Sequence, residues 1–312
     1  MEMFFSAKAP AKVNLFLDVL GVRDDGYHNI HTVMQSIDLC DVVSVKVGGD
    51  TSVGHVITVA CDDESLVCDD KNLAYRAASA YFAFLNMKSA AIAPASIEIF
   101  IKKNIPIAAG LGGGSADAAA VLILLNRAFD DEMSLSELCE IGSKIGADVP
   151  FCVRSVLFGG AIAASGIGDV FTECLPLSTD TIILVAAFDI PVSTPWAYRE
   201  IDRLRALRGN EVRETPDIGE VVSVFTGGSS ECISSFLHNS FESAVIPKHP
   251  VIGDVKAQAL ERGAYAALMS GSGASVFALF ENETDAQTAA EFVQKSFAEV
   301  KKVFVCRPYE IG

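Results

Sequence analysis

Four glycines in five positions, Gly110, Gly112, Gly113 and Gly114 of "PIAAGLGGGSADAAAVLILL", run into Ser115 and then into a long alanine- and leucine-rich stretch. Glycine costs backbone entropy, and that cost next to a strong helix former suggests close approach of something to the main chain. The chemistry that fits is anion binding. Inward-turned amides and the positive end of a helix together favour phosphate. Ser115 could cap the helix, touch a phosphate, or ligate a phosphate-bound magnesium. The two familiar nucleotide loops are absent: no lysine follows these glycines as a Walker A sequence requires, and Ser115 stands where a dinucleotide loop needs its third glycine. A tight turn with close helix–strand packing is the bland alternative, but one or two glycines would satisfy it.

Three further groups carry candidate chemistry. Lys12 and Asn14 lie two apart in a strand-like stretch, so they share a face; a lysine there can also simply snorkel to solvent. "RDDGYHNIH" has a turn signal at Asp25-Gly26 followed by Tyr27 and His28, which suits packing at a strand edge or, alternatively, stacking and hydrogen bonding to a base. Asp148, in "IGADVPF", follows a helix and precedes Pro150, which is expected to end any helical continuation. An aspartate so placed is commonly a loop cap. If ionised in apolar surroundings it needs a cation, for which Lys12 is a possible partner.

The elements that must position these groups read as mixed strand and helix. "VNLFLDVLG", "HTVMQSIDL", "DVVSVKV", "HVITVAC" and "ASIEIFIKK" predict strands; "NLAYRAASAYFAFLNM" predicts a helix starting near Asn72. A helix from about Ser115 to Ala128 follows the glycines, then a second with Ser134 and Glu137 in a capping-box pattern. Beyond Asp148 the chain is expected to return to β structure, ending in "TIILVAAF". A proline-punctuated break over 189–195 suggests a boundary, giving units of 1–187 and 188–312. The second unit reads as helix from Pro195 to Leu207, polar glycine-containing segments, helix from Val251 to Arg262, strand, "SGSGAS" loop, strand, helix and strand. Intermixed elements without strict βαβ repetition predict an α+β fold.

Composition bounds the function. The chain has 312 residues, half of them hydrophobic, enough for a large core and two domains. A net charge of −16 disfavours nucleic acid, which needs a basic surface, but not a small phosphorylated ligand. No apolar run approaches a membrane span, and Lys8 and Lys12 interrupt an N-terminal stretch without a basic leader, so neither a membrane nor a secretory signal is expected. Eight scattered cysteines, with no C-x-x-C pair, suit free thiols in a reducing cytoplasm.

Taken in order, these segments resemble the GHMP kinases. "PIAAGLGGGSA" is similar to that family's phosphate loop and "LMSGSGASVFALF" to its C-terminal glycine motif. "DGYH" narrows the likeness to members whose acceptor carries cytidine diphosphate, in isoprenoid-precursor synthesis. The resemblance implies a two-lobed fold, the N-terminal lobe ribosomal-protein-S5-domain-2-like and the C-terminal one ferredoxin-like, with the site between them. It implies a small-molecule kinase using ATP, with magnesium expected. Lys12 and Asp148 would be the catalytic pair. Lys103, Pro106, Gly110, Leu111, Gly112, Gly113, Gly114 and Ser115 would bind the nucleotide. Asn14 would hold the acceptor's phosphate region, His28 would hydrogen-bond the cytosine, and Tyr27 and Tyr198 would stack on its two sides. Asp117 stands where some relatives have asparagine. Another small-molecule kinase of the family, or a catalytically silent nucleotide-binding protein, are the alternative functions.

Overall fold

The computed structural model describes residues 2–51, 54–88, 93–208, 216–227 and 229–311. The first sheet is built on two long antiparallel strands, β1 (Met3–Val22) and β2 (His28–Asp50). The two segments expected as separate strands, "HTVMQSIDL" and "DVVSVKV", are one. The register jumps from Pro10–Cys40 to Ala11–Ile37, so Asp38 and Leu39 bulge out where a proline cannot donate to the ladder. β3 (Val56–Cys61) pairs in parallel with β4 (Ala95–Lys102), and β4 pairs with β2.

One face of this sheet presents Val43, Val45, Ile97, Ile99 and Ile101 to the helices α1 (Leu73–Met87) and α2 (Gly113–Ala128). Asn72 caps α1 as expected, its side chain accepting from Ala74 N at 2.9 Å. α2 begins inside the glycine run, two residues before Ser115, and residues 116–126 are all buried. A helix apolar all round belongs in the centre of a fold, which is where α2 sits.

The capping box forms on α3 (Leu135–Ile145), with Glu137 accepting from Ser134 N at 2.8 Å. After it the expectation fails. Pro150 does not end helical structure; it lies in the first turn of α4 (Val149–Phe158), where its missing N–H costs nothing. The chain returns to strand only at β5 (Ala161–Ser165) and β6 (Val170–Cys174), which extend the first sheet from β2.

β7 (Ile182–Phe188) is the "TIILVAAF" strand, and it pairs in the second sheet rather than the first. Helix α5 (Thr194–Arg208) follows. α6 (Ile218–Gly227), α7 (Ser230–Phe236) and α8 (Glu242–Lys248) occupy the stretch read only as polar segments, with β8 (His238–Asn239) returning to pair in parallel with β1. α9 (Pro250–Glu261), β9 (Ala266–Met269), β10 (Val276–Phe280), α10 (Glu283–Ser296) and β11 (Val300–Cys306) complete an antiparallel sheet of order β11-β7-β10-β9. Ile183, Val185, Phe277 and Leu279 of this sheet pack with Val13, Leu15, Ile37 and Ile105, so one apolar core joins the two lobes. Among the described residues no helix is long and apolar enough to cross a membrane.

Candidate active site

A cavity of about 750 Å³ opens between the lobes, lined from both glycine-rich loops, from β1 and β2, and from α5. The two loops meet backbone to backbone. A Cβ at Gly110 would stand 2.6 Å from the Ser270 carbonyl oxygen and 2.9 Å from that of Gly273, and its φ of 75° is left-handed. Gly112, also left-handed at 72°, leaves room for the Lys12 stem, 3.0 Å from where its Cβ would be. Gly113 leaves room for Ile105 and the Lys103 ammonium, whereas Gly114 meets only Leu73 at 3.5 Å. Most of the glycine density therefore answers to neighbouring protein atoms, a cause that reading the loop as a ligand cradle alone does not reveal.

The first turn of α2 keeps amide donors without helical partners. Gly112 is the N-cap of α2 without a side-chain cap, and Ala116 N–H makes the first helical bond, to Gly112 O at 2.9 Å. The amides of Gly113, Gly114 and Ser115 precede it and have no carbonyl four residues back in the helix. Ser115 lines the cavity, as do Gly110 and Gly112. Leu111 is buried and its carbonyl accepts from Lys12 N at 3.0 Å, tying the loop to β1. Pro106 is half-buried at the start of the loop, outside the cavity lining.

Lys12 and Asn14 do share a face. Lys12 does not snorkel: it is buried, and its Nζ donates to Asn14 Oδ1 at 2.6 Å. Asn14 Nδ2 in turn donates to Thr32 Oγ1 at 3.0 Å. The same ammonium lies 3.4 Å from Asp148 Oδ2. Asp148 occupies the N-cap position of α4 yet makes no capping bond. The residue two further on is Pro150, which has no N–H to give, so the carboxylate stays free for the cavity. Its side chain is 38% exposed against 4% for Lys12. Gly271 of the second loop crowds the same ammonium, its Cβ position 3.5 Å from Nζ.

Tyr27 and His28 enter from the start of β2, and Tyr198 from α5. Tyr27 is exposed. The His28 and Tyr198 rings stack at 4.5 Å and 28°, so that face of Tyr198 is covered by the imidazole rather than open to a base. Phe241 meets Tyr198 edge-on at 4.9 Å. Burial and then the Asp148 charge push the Tyr198 hydroxyl up to about 12, so it stays protonated.

Lys103 is turned away from the cavity. Its side chain is 4% exposed and pairs with Asp41 at 2.5 Å and Asp117 at 2.7 Å. Asp41 also accepts from Asn104 N at 2.6 Å and Ile105 N at 2.8 Å. This sealed cluster braces the loop from beneath.

The family models for the GHMP kinases N terminal domain and GHMP kinases C terminal match residues 72–155 and 228–299. Proteins named 4-diphosphocytidyl-2-C-methyl-D-erythritol kinase from Clostridium perfringens and Geobacter metallireducens are similar along the chain. The first is 35% identical, covering 96% of both chains; the second is 40% identical, covering 93% of this chain and 94% of its own. The chain belongs to the GHMP kinase family. A crystal structure of 4-(cytidine 5'-diphospho)-2C-methyl-D-erythritol kinase superposes with a TM-score of 0.73 at 29% identity, covering 99% of this chain and all of the other.

In this GHMP kinase several cavity residues escaped the sequence reading. Gly271 and Ser272 belong to the second glycine loop, whose motif was visible but whose approach to Lys12 depends on the lobes meeting. Ala108 lines the cavity with φ 58°, a strained conformation that nothing in its residue type announces. Thr32, which lines the cavity and accepts from Asn14, and Asp202, which lies outside the lining and contacts His28, carry no motif at all.

Proposed function

We propose that this enzyme transfers the γ-phosphoryl group of ATP to the 2-hydroxyl of 4-diphosphocytidyl-2-C-methyl-D-erythritol, a step in isoprenoid-precursor synthesis. The observation that carries the chemistry is the Lys12–Asp148 couple, 3.4 Å apart, beside the start of α2 in the cavity that Tyr27 and His28 also line. The shared name of relatives at 35% and 40% identity carries the choice of acceptor.

Phosphoryl transfer asks for alignment and for charge stabilisation. The amides of Gly113, Gly114 and Ser115 hold the triphosphate, with Gly110, Leu111 and Gly112 shaping the loop and Pro106 fixing its entry. Lys103 supports the nucleotide through the loop, not by touching it. The acceptor hydroxyl attacks the γ-phosphorus, the bond from that phosphorus to the bridging oxygen breaks, and ADP leaves. Asp148 takes or orients the hydroxyl proton, and Lys12 offsets charge on the acceptor oxygen. Asn14 holds the Lys12 ammonium and reaches the acceptor's phosphate region. His28 hydrogen-bonds the cytosine while Tyr27 and Tyr198 supply aromatic surface.

Magnesium fits this donor set. Among the described residues no group of three or more His, Cys, Asp or Glu side chains is placed to hold a metal. Asp148 is the one carboxylate among the described residues that line the cavity, and Ser115 is among its hydroxyls, which suits an ion carried mainly by phosphate oxygens. Bound there, it would neutralise triphosphate charge. A two-lobed division belongs to the same reading, with its boundary ahead of β7 instead of at 187/188, because Ile182–Phe188 pairs in the second sheet; so does a cytoplasmic setting, supported by eight cysteines that are all free.

The test is ADP release over an acceptor panel of the diphosphocytidyl compound, homoserine, mevalonate and galactose. Turnover with the first alone is expected. Equal or better turnover with another acceptor would reassign the substrate, and none with any would make the protein a silent nucleotide binder.

A further inference from the structure

Stacking surfaces discriminate poorly among bases, because every base offers a π-face. Choice of a pyrimidine must come from a polar group held in one hydrogen-bonding state. His28 is held in that way. Its side chain is 10% exposed, one face lies on Tyr198, and Nε2 faces both carboxylate oxygens of Asp202 at 3.0 and 3.1 Å. Asp202 stands one turn beyond Tyr198 on α5, so one helix supplies both the stacking ring and the carboxylate.

A carboxylate only accepts hydrogen bonds, so the nitrogen facing it carries the hydrogen. In a neutral imidazole the other nitrogen is then an acceptor. Nδ1 has no protein partner among the described residues, and His28 lines the cavity. Cytosine carries an amine at C4, a donor; uracil carries a carbonyl there, an acceptor.

We propose that Asp202 is a specificity-setting positioning residue: it holds the His28 Nε2–H, so that Nδ1 accepts from the exocyclic amine of cytosine and rejects the carbonyl of uracil. The inference rests on the reading that the cavity takes a cytidine diphosphate group, and it names the residue that decides which base enters.

The experiment is titration calorimetry with CDP and UDP on the full-length protein and on Asp202→Ala, Asp202→Glu, His28→Ala and the Asp202→Ala/His28→Ala double variant, with thermal melts as a folding check. The unaltered protein should prefer CDP. Asp202→Ala should narrow the CDP-to-UDP ratio about tenfold, the scale of one hydrogen bond, and Asp202→Glu should regain part of it. In the His28→Ala background, removal of Asp202 should move the ratio no further. An unchanged ratio in Asp202→Ala, or equal weakening of both ligands, would overturn the role of Asp202 and leave the cytidine reading standing. Absence of CDP preference in the unaltered protein would overturn both.

Discussion

Lys12 packs against Gly112 and Lys103 against Gly113, adjacent residues of one loop, and each ammonium faces aspartate. Around Lys12 the carboxylate is 38% exposed into a cavity and has no capping duty. Around Lys103 both carboxylates are sealed, Asp41 at 0% and Asp117 at 3%. The first arrangement can exchange a proton with a bound molecule. The second can only hold protein to protein. Residue type is the same in both; access to solvent separates them.

The sealed cluster is also asymmetric. Asp41 receives two backbone amides and the ammonium, whereas Asp117 Oδ1 is buried without a partner. Burial pushes Asp117 up to about 7; Lys103 opposes that shift and the Asp41 charge adds to it. Asp41 is therefore the better satisfied of the two carboxylates, with two backbone amides and the ammonium as donors.

Breaking the open couple should have the largest effect. Asp148→Asn should lower kcat about a thousandfold, the weight of a positioned base, while fluorescence titration shows ATP still bound. Near-normal turnover would remove the distinction between the two lysine sites. Next comes Lys103→Met, which leaves two buried carboxylates without their cation. It should cost about 3 kcal/mol in urea unfolding, and lost turnover at full stability would instead place Lys103 in the chemistry.

The smallest effects sharpen the asymmetry within the sealed cluster. Asp41→Asn should cost about 2 kcal/mol and Asp117→Asn less than about 0.5 kcal/mol near neutral pH. Asp117 sits at about 7 in the fold against an ordinary 3.8, so the folded state holds its proton more tightly. That contribution to stability is complete below pH 3.8 and is lost as pH rises through about 7. Melts across pH 4–8 should show a slope that Asp117→Asn flattens; parallel profiles would mean Asp117 is charged throughout.

Much of this was legible before any coordinates. Period-two spacing put Lys12 and Asn14 on one face, and Ser134 with Glu137 announced a helix start that forms as read. Pro150 misled because proline both ends helices and opens them, and only the chain beyond it decides which. The strand Ile182–Phe188 is apolar throughout and carries no mark of which sheet it joins. The resemblance put Lys103 beside the nucleotide; its burial depends on Asp41, 62 residues away.

By itself the sequence determined local matters: strand faces, helix starts, the run of unpaired amides before α2, and the family to which those motifs belong. These follow from backbone sterics and side-chain periodicity, which act over a few residues. Only the tertiary structure decided which lysine's carboxylate partner met solvent, that Gly110 was needed for the Ser270 carbonyl, and that Asp202 grips His28. Those outcomes depend on desolvation and on contacts between segments distant in the chain, quantities that do not exist until the lobes have packed.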